Sequence, residues 1–356
     1  MKGVMNEMKK RFMILMFAGI LVLTGCQLGK DSEPLQNETE NINEEVETTK
    51  DEEYTYSDKL FDSTRLEGKM AVYFLRGDYA TKNAEGIEGA TGEATLLVAP
   101  DGATMLIDFN NCMNNGAYIA EVLEKLNIQK LDYVVLTSPH IEHLGGYSIV
   151  MHCAEVGQII TNYHDFTENA TYNNFIKTAT EKNIEVSRIC EGDTFTFGSD
   201  IEVEVFNPSR EYADWKEDVG QRNGALLLKF TYNQSSFLIG GDITSSVEEQ
   251  LIAKYGARLQ SSVVKMNNQG SKDSNSKEWI QALNSKVAVG ECNIVENDLI
   301  VGRYAIRNEA VLHTAIDGTC LVYTAGDDVY EIQVEQERTS DTYQLLTTDK
   351  GYFVVR

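Results

Sequence analysis

The sequence predicts an α/β protein whose body is one layered sandwich of sheets and helices. Strand and helix signals alternate from about residue 69 to the C-terminus, no internal repeat interrupts them, and the strands fall into two β-rich halves. Of the 356 residues, 42% are hydrophobic and 24% charged, which is ordinary usage for a globular protein. We therefore expect a single domain over residues 61–356, preceded by an N-terminal signal and a disordered tether.

The first half of the body is built from short strands that alternate with helices. Runs of β-branched and aromatic residues favour strands, and Pro100-Asp101-Gly102 marks a tight hairpin turn between two of them. Apolar residues at three- and four-residue spacing favour helices. The predicted order is strand Met70–Leu75, strand Ala94–Ala99, strand Thr104–Asp108, helix Ala117–Leu126, strand Leu131–Leu136, a helix after Gly146, strand Gln158–Ile160 and helix Asn173–Glu181.

The second half repeats this mixture of strands and helices. The same apolar patterns distinguish the two kinds of element. The predicted order is strand Ile201–Phe206, strand Ala225–Tyr232, strand Ser236–Ile239, helix Val247–Tyr255, strand Val263–Lys265, helix Lys277–Leu283, strand Val287–Val289 and strand Cys320–Thr324.

The charge and hydropathy of the chain exclude two classes of protein. Lysine and arginine number 31 against 55 aspartates and glutamates, for a formal net charge of −24. Phosphate binding needs basic side chains that displace counterions, so long nucleic acid is not an expected partner of this acidic body. Only one apolar run is long enough to be considered for a membrane, which excludes a channel or transporter with several spans.

The N-terminus has the three parts of a secretory signal. Basic residues precede the apolar stretch Phe12–Leu23, and the tetrapeptide Leu-Thr-Gly-Cys ends at Cys26. This ending resembles a bacterial lipobox, which implies that Cys26 is lipidated and becomes the first mature residue. The alternative is an uncleaved anchor helix. We expect a lipoprotein signal peptide over residues 1–26 and an extracytoplasmic body that is lipid-anchored to a bacterial membrane.

Residues 27–60 have the composition of a tether. Eleven acidic residues face three lysines in this segment, and few large apolar residues are available for burial. Such a segment cannot offset the entropy of folding, and its like charges repel one another. We therefore expect an acidic, disordered and extended tether between the lipid anchor and the body.

Residues that bind metals cluster directly after the predicted strand Leu131–Leu136. The segment that follows carries His140, Glu142 and His143 and ends in two glycines. The end of a strand can direct two imidazoles and a carboxylate to one point, and this combination of ligands suits zinc or a similar metal. The segment therefore predicts a candidate metal site.

The same segment resembles the metal-binding motif of the metallo-β-lactamase superfamily, Thr-His-x-His-x-Asp-His-x-x-Gly, read without a gap from Thr137. Further stretches agree in the family's order: Gly92-Glu93-Ala94 for the opening Gly-Asp-Ala, Met105–Asp108 for the Leu-Ile-Asp hairpin, and Leu238–Ile243 with Glu248 and Leu251 for the later Gly-Asp segment. The resemblance implies a metallo-β-lactamase-like αββα sandwich.

Within this superfamily the chain is similar to the extracellular domain of competence proteins of the ComEC type, which serve DNA uptake. Those proteins continue with Lys-Val-Pro-His-His-Gly-Ser and then Gly-x-x-Asn. Here Lys265–Ser271 reads Lys-Met-Asn-Asn-Gln-Gly-Ser, and Gly290–Asn293 reads Gly-Glu-Cys-Asn. The resemblance spans residues 69–335 and does not include the membrane channel, so DNA transport itself is not implied.

The chain departs from the family at several ligand positions. Ser138 replaces the first histidine, Glu142 replaces the aspartate, and Asn268 and Gln269 replace the tandem histidines. Hydroxyl and amide oxygens are weaker zinc ligands than imidazole, and the extra methylene of glutamate moves its oxygen by about 1 Å. Ser138, Asn268 and Gln269 are therefore degenerate ligand positions, and a full two-metal centre is not expected.

The metal ligands that the resemblance still implies are His140, Glu142, His143 and Asp242. Three of them suffice for one zinc ion, or manganese, with Glu142 and Asp242 as catalytic residues that orient a hydroxide. The alternative is that no metal binds, that the two histidines bond to nearby backbone, and that Asp242 caps a helix. Asp108 is expected to shape a turn. Three other histidines are expected to be structural: His152, His164 and His313.

Two functions follow from these alternatives. The first is a single-metal hydrolase for a phosphodiester or a related ester, with a small substrate because the body is acidic. The second is a catalytically inactive pseudoenzyme that serves as a binding module at the cell surface. In that case the amides of the old cleft would suit neutral polar ligands such as sugars or peptidoglycan fragments.

Overall fold

The computed structural model describes residues 59–77, 92–336 and, by their backbone alone, residues 352–355. The chain divides into two units, Met1–Glu52 and Glu53–Arg356, and all described residues belong to the second. The predicted signal peptide with Cys26 and the tether up to residue 58 lie outside the described residues. Leu60, at the end of the predicted tether, is fully buried, so the folded body includes it.

Nine strands form the first sheet, in the order β16-β15-β14-β1-β2-β3-β4-β5-β6. The strands from β3 to β6 are parallel, whereas the others pair antiparallel. Their bounds are β1 Met70–Phe74, β2 Thr95–Val98, β3 Thr104–Ile107, β4 Lys130–Leu136, β5 Glu155–Asn162, β6 Glu185–Ile189, β14 Cys320–Thr324, β15 Tyr330–Val334 and β16 Tyr352–Val355.

Seven strands form the second sheet, in the order β13-β12-β11-β10-β9-β8-β7. The strands from β10 to β13 are parallel, and those from β7 to β10 are antiparallel. Their bounds are β7 Thr194–Phe197, β8 Ile201–Asn207, β9 Leu227–Tyr232, β10 Ser235–Gly240, β11 Val263–Lys265, β12 Val287–Gly290 and β13 Ala310–His313.

Nine α-helices connect these strands in the described part of the chain. Three short 3₁₀ helices, Ser63–Leu66, Gly256–Leu259 and Asn267–Gly270, accompany them. None of the described helices combines the length and the apolarity needed to cross a bilayer. The α-helices are α1 Met113–Lys125, α2 Ile141–Leu144, α3 Tyr147–Cys153, α4 Ala170–Glu181, α5 Asp218–Asn223, α6 Ser245–Tyr255, α7 Lys277–Leu283, α8 Asp298–Ala305 and α9 Thr314–Asp317.

Three apolar cores hold the layers together. The inter-sheet core contains side chains from both sheets, such as Val72 and Phe74 of β1 and Phe230 of β9. A second core packs α1, α3 and α4 on the outer face of the first sheet, and a third packs α6, α7 and α8 on the outer face of the second. Helix, sheet, sheet and helix layers therefore follow one another, which confirms the predicted metallo-β-lactamase-like αββα sandwich.

Several elements lack the apolar pattern on which the sequence prediction depends. Strand β6 reads Glu-Val-Ser-Arg-Ile and lies half-exposed at the edge of its sheet, so polar residues interrupt it. Helix α8 contains a glycine, which lowers its helix propensity. Strands β7, β13, β15 and β16 were likewise not predicted. Strands β7, β13 and β16 lie at the ends of their sheets, and β15 lies next to β16.

Parallel strands place their carboxyl ends at one edge of each sheet. The loops after β3, β4, β10, β11 and β12 emerge there, and they carry the segments in which the sequence predicted ligands. In open α/β sheets, ligands bind outside the carboxyl ends of the strands. This edge is therefore where the candidate site is built.

Candidate active site

The loop after β4 is held by Asp108, which follows β3. Asp108 has a left-handed backbone with φ 61°, and its Oδ1 accepts a hydrogen bond of 2.8 Å from the amide of Thr137. Its Oδ2 accepts a bond of 2.6 Å from the Thr137 hydroxyl and lies 2.8 Å from His143 Nδ1. Asp108 therefore shapes the turn, as predicted, and also orients the imidazole of His143.

His143 lies fully buried in α2 with a carboxylate at each ring nitrogen. Its Nδ1 is 2.8 Å from Asp108 Oδ2, and its Nε2 is 3.0 Å from Asp242 Oδ2. Glu93 Oε1 lies 3.4 Å from Nδ1 as a third acidic neighbour. Burial disfavours a charged imidazole, but the charges of these three carboxylates outweigh it and raise the pKa of His143 well above its ordinary value.

Lys265, at the end of β11, is a buried cation between two carboxylates. Its Nζ lies 2.6 Å from Glu93 Oε2 and donates to the carbonyl of Gly240 at 2.8 Å. Glu291, after β12, accepts hydrogen bonds from the amides of residues 75 and 94 and from the Thr95 hydroxyl. Burial raises the pKa of Glu93 to about 8 and that of Glu291 to about 7, although Lys265 acts against both shifts.

Arg222 of α5 connects the two sides of the site. Its Nη1 donates to Asp242 Oδ2 at 2.9 Å and to Asn268 Oδ1 at 3.0 Å, and its Nη2 lies 3.7 Å from Glu142 Oε1. Burial opposes the charged carboxylate of Asp242, but His143 and Arg222 outweigh it and hold the pKa of Asp242 well below its usual range. Together with Arg222, six other residues form what we call the buried ionic cluster: Glu93, Asp108, His143, Asp242, Lys265 and Glu291.

The loop after β11 presents two amide side chains to the site in an unusual backbone conformation. Asn268 and Gln269 both have left-handed backbones, with φ 47° and 56°. Few non-glycine residues adopt this region, and each instance costs roughly 1 kcal/mol or more. Buried Glu248 of α6 holds the loop, because its carboxylate accepts bonds from the Asn267 side chain and from the amides of Asn275 and Ser276.

A cleft of about 710 Å³ opens above the cluster. Hydroxyl, amide and charged side chains make up most of its lining, and four of the lining residues are acidic against two that are basic. The polar and apolar residues that line it are Glu142, Asp218, Val219, Arg222, Thr244, Ser245, Ser246, Asn268, Gln269, Ser271, Lys272, Asp273 and Glu296.

One group of side chains within the described residues could hold a divalent metal ion. It consists of Glu93, His143 and Asp242, whose ligand atoms all lie within 4.8 Å of one another. Glu93 Oε1 and Asp242 Oδ1 are buried and have no hydrogen-bond partner among the described residues, which favours a cation. The two carboxylates, however, face opposite nitrogens of one imidazole. An ion bound to His143 Nε2 and Asp242 Oδ2 would have to replace the hydrogen bond between these two atoms. Otherwise it would have to displace the guanidinium group of Arg222 from Asp242.

The structure brings the predicted ligands to one edge but not to one point. His143 and Asp242 are in contact, whereas the carboxylate of Glu142 faces Arg222 and its carbonyl accepts a bond of 3.2 Å from the amide of Glu93. His140 Nε2 points to exposed Asp218, at 3.3 Å, and its Nδ1 lies 3.3 Å from the Ser138 hydroxyl. The donor set therefore does not fit the two-metal centre of the family motif, because hydroxyl and amide groups stand at three of its positions.

The suggestion that Asp242 caps a helix is wrong. The N-cap of α6 is Thr244, and the carboxylate of Asp242 instead faces His143 and Arg222. The three remaining histidines lie away from the cluster's hydrogen bonds. His313 accepts from the amide of Ala315, and His164 stacks on Trp215 at 4.4 Å.

The sequence prediction missed Glu93, Lys265, Glu291 and Arg222 as members of the site. A signal existed for Lys265, since a lone charge at the end of the apolar run Val263-Val264 indicates a buried cation. Glu93 was noted as part of a motif but not as a charged partner. Arg222 has no such signal, because its partners inside the site, Asp242 and Asn268, lie 20 and 46 residues away along the chain.

Two curated relatives match the chain in sequence. ComE operon protein 3 of Bacillus subtilis is 22% identical over 162 residues, covering 46% of this chain and 20% of the relative. Competence protein ComA of Neisseria gonorrhoeae is 23% identical over 195 residues, covering 55% of this chain and 25% of the relative. The chain resembles competence proteins. It spans a quarter or less of the length of these two relatives, and no protein-family model matches it.

Two solved structures are similar to this chain, at low sequence identity and with TM-scores below 0.5. CmlA, a diiron β-hydroxylase from Streptomyces venezuelae, has 11% identity and a TM-score of 0.43, covering 68% of this chain and 52% of the enzyme. A variant metallo-β-lactamase from Cronobacter sakazakii has 14% identity and a TM-score of 0.33, covering 54% of this chain and 75% of the enzyme. The αββα fold is established by the layers and strand order of the chain itself.

Proposed function

We propose that this domain is a non-hydrolytic binding module built on a metallo-β-lactamase-like sandwich. The observation that carries the proposal is the position of His143, whose two ring nitrogens each face a carboxylate, Asp108 on one side and Asp242 on the other. A catalytic zinc needs about three protein ligands and an open position for water. Hydroxyl and amide groups at Ser138, Asn268 and Gln269 do not make up for the missing imidazoles.

The cleft supports a polar, uncharged or positively charged ligand. Amide groups of Asn268 and Gln269 and the hydroxyls of Ser245, Ser246 and Ser271 offer donors and acceptors, while the acidic side chains of the lining repel phosphate. Neutral sugars, including the glycan part of peptidoglycan fragments, have this chemistry. Long nucleic acid does not, which agrees with the acidic charge of the chain.

A single-metal hydrolase is the second candidate, and the unpartnered oxygens of Glu93 and Asp242 beside His143 favour it. Those three residues, or Glu142 in place of Glu93, would hold one zinc or manganese ion, with His140 nearby. Such an ion supplies an activated water at neutral pH. A small phosphodiester or a related ester would then be the substrate.

Metal content and melting curves separate the two candidates. The purified body is analysed for bound metal, melted with EDTA and with added Zn²⁺ or Mn²⁺, and assayed on a generic phosphodiester. A binding module contains no stoichiometric metal, melts at the same temperature in each condition and has no activity. Activity that the double variant His143→Ala, Asp242→Ala abolishes, and that His152→Ala retains, would establish the hydrolase instead.

Ligand class is tested separately, by calorimetry with three probes: N-acetylglucosamine oligomers, soluble muropeptides and a dinucleotide. The proposal expects binding of a saccharide or muropeptide that Asn268→Ala weakens at least about fivefold. Binding of the dinucleotide alone would contradict it.

We further propose that the module is held outside the cytoplasmic membrane by lipid on Cys26. The lipobox-like ending at Cys26 and the similarity to competence proteins support this location. Replacing Cys26 by serine should release the protein or leave its precursor uncut. Membrane-bound Cys26→Ser protein at the processed size would contradict lipid anchoring.

A further inference from the structure

The guanidinium group of Arg222 lies at the point where three of the family's ligand positions meet. Nη1 bonds to Asp242 Oδ2 at 2.9 Å and to Asn268 Oδ1 at 3.0 Å, while Nη2 lies 3.7 Å from Glu142 Oε1. A zinc ion bound to the same two oxygens would lie about 2.1 Å from each. An ion there would overlap Nη1, so the guanidinium and a metal exclude each other at this point.

Arg222 also supplies what a metal would supply to Asp242, which is a compensating positive charge. Asp242 is fully buried, and an uncompensated carboxylate in that position is strongly destabilising. Arginine is permanently charged, and its planar fork can bond several acceptors at once. Nε donates to Asp218 at 3.0 Å, so the side chain is fixed along its length.

Helix α5 is anchored so that Arg222 is directed into the site rather than into solvent. Gly224 ends the helix, and a Cβ there would lie 2.1 Å from the ring of Trp215. The Tyr212 hydroxyl donates to the carbonyl of Gly220 at 2.6 Å, and Gln221 donates to the carbonyl of Trp215. The side chain of Arg222 is 21% exposed. Its position is therefore set by the packing of its helix.

We propose that Arg222 is a resident cation that replaces the metal of the fold's site and holds the cleft loops together without one. This inference rests on the proposed non-hydrolytic function. The guanidinium ties α5 to the loop after β10 through Asp242 and to the loop after β11 through Asn268. The protein thereby keeps the shape of a metal site while losing the ability to activate water.

The test compares Arg222→Met with the wild-type protein and with Arg188→Met, a control that removes an arginine on the exposed edge strand β6. Melting temperature is measured in EDTA and with 1 mM Co²⁺ or Zn²⁺. We expect Arg222→Met to melt roughly 5–10 °C lower than the wild type in EDTA. Divalent metal should recover at least half of that loss in the variant and leave the wild type and the control unchanged.

Three outcomes would overturn the inference: no loss relative to Arg188→Met, a loss that metal does not recover, or a wild-type protein that metal stabilises as much as the variant. If Arg222→Met does not fold, Arg222→Gln tests the same point, since glutamine also removes the charge beside Asp242 but remains polar. Hydrolysis by the wild type would reject the proposed function. A metal-indifferent Arg222→Met in an inactive protein rejects only the role of Arg222.

Discussion

The inter-sheet core and the buried ionic cluster both lie inside the domain, with Arg222 as the one partly exposed member of the cluster, yet they are stabilised in opposite ways. Phe230 and its neighbours gain from leaving water, whatever their exact partners, because apolar burial is not directional. Each member of the cluster is stable only with particular partners, such as Asp242 with His143 and Arg222. The core therefore supports the fold under all conditions, whereas the cluster depends on every charge that it contains.

The largest effect is expected in the core. Phe230→Ala removes a fully buried ring between the sheets and should lower the free energy of unfolding by about 4 kcal/mol. Because no titratable group is involved, the loss should be the same at pH 5 and pH 8. Denaturant unfolding at the two pH values measures it, and a loss that changes with pH would contradict the distinction between core and cluster.

A slightly smaller effect is expected from Asp242→Ala. The change leaves the cations of His143 and Arg222 without their shared acceptor and should cost about 3 kcal/mol. Adding Arg222→Met removes one of the stranded charges. The double variant should therefore be more stable than the sum of the two single losses by about 1–2 kcal/mol, as measured by denaturant unfolding of all three variants. Simple additivity would show that the two residues act independently.

The same division explains what the sequence could predict. The apolar strands, such as Met70–Phe74, follow patterns that extend over several neighbouring residues, so the αββα layers were predictable and confirmed. The cluster depends on single residues that are far apart in the chain. No neighbouring residue in the sequence indicates that Arg222 contacts Asp242 and Asn268. Backbone geometry was equally hidden, since the left-handed conformations of Asn268 and Gln269 occur in a loop that Glu248 of α6 holds through Asn267, 19 residues away in the chain.

Glu248 tests whether the cleft loop depends on directional bonds as the cluster does. Its carboxylate accepts three hydrogen bonds from the loop after β11, and glutamine would place a donor against donors. We expect Glu248→Gln to cost about 2 kcal/mol in denaturant unfolding. Glu249→Gln, at the adjacent exposed position of the same helix, is the matched control. Equal stability of the two variants would mean that the loop holds its shape without Glu248.

The smallest expected effect concerns the pH dependence that Glu291 gives to the cluster. Burial raises its pKa from 4.5 to about 7 in the folded protein. The folded state therefore holds this proton more tightly than the unfolded state, so stability is lost as pH rises from about 4.5 to about 7. Glutamine can still accept the bonds from the amides of residues 75 and 94 through its oxygen, but it has no charge to bury.

We therefore expect the stability of Glu291→Gln to fall less steeply between pH 5 and pH 8 than that of the wild type. One unit of pKa shift corresponds to about 1.4 kcal/mol, and the raised pKa of Glu291 already includes the opposing charge of Lys265, so the expected difference is on the order of 2 kcal/mol across this range. Melting curves at half-unit pH steps measure it, with Glu278→Gln on the exposed face of α7 as control. If the melting temperatures of wild type and Glu291→Gln changed with pH in parallel, this carboxylate would be no more costly to ionise inside the cluster than in water. The contrast between the cluster and the pH-independent core would then not extend to Glu291.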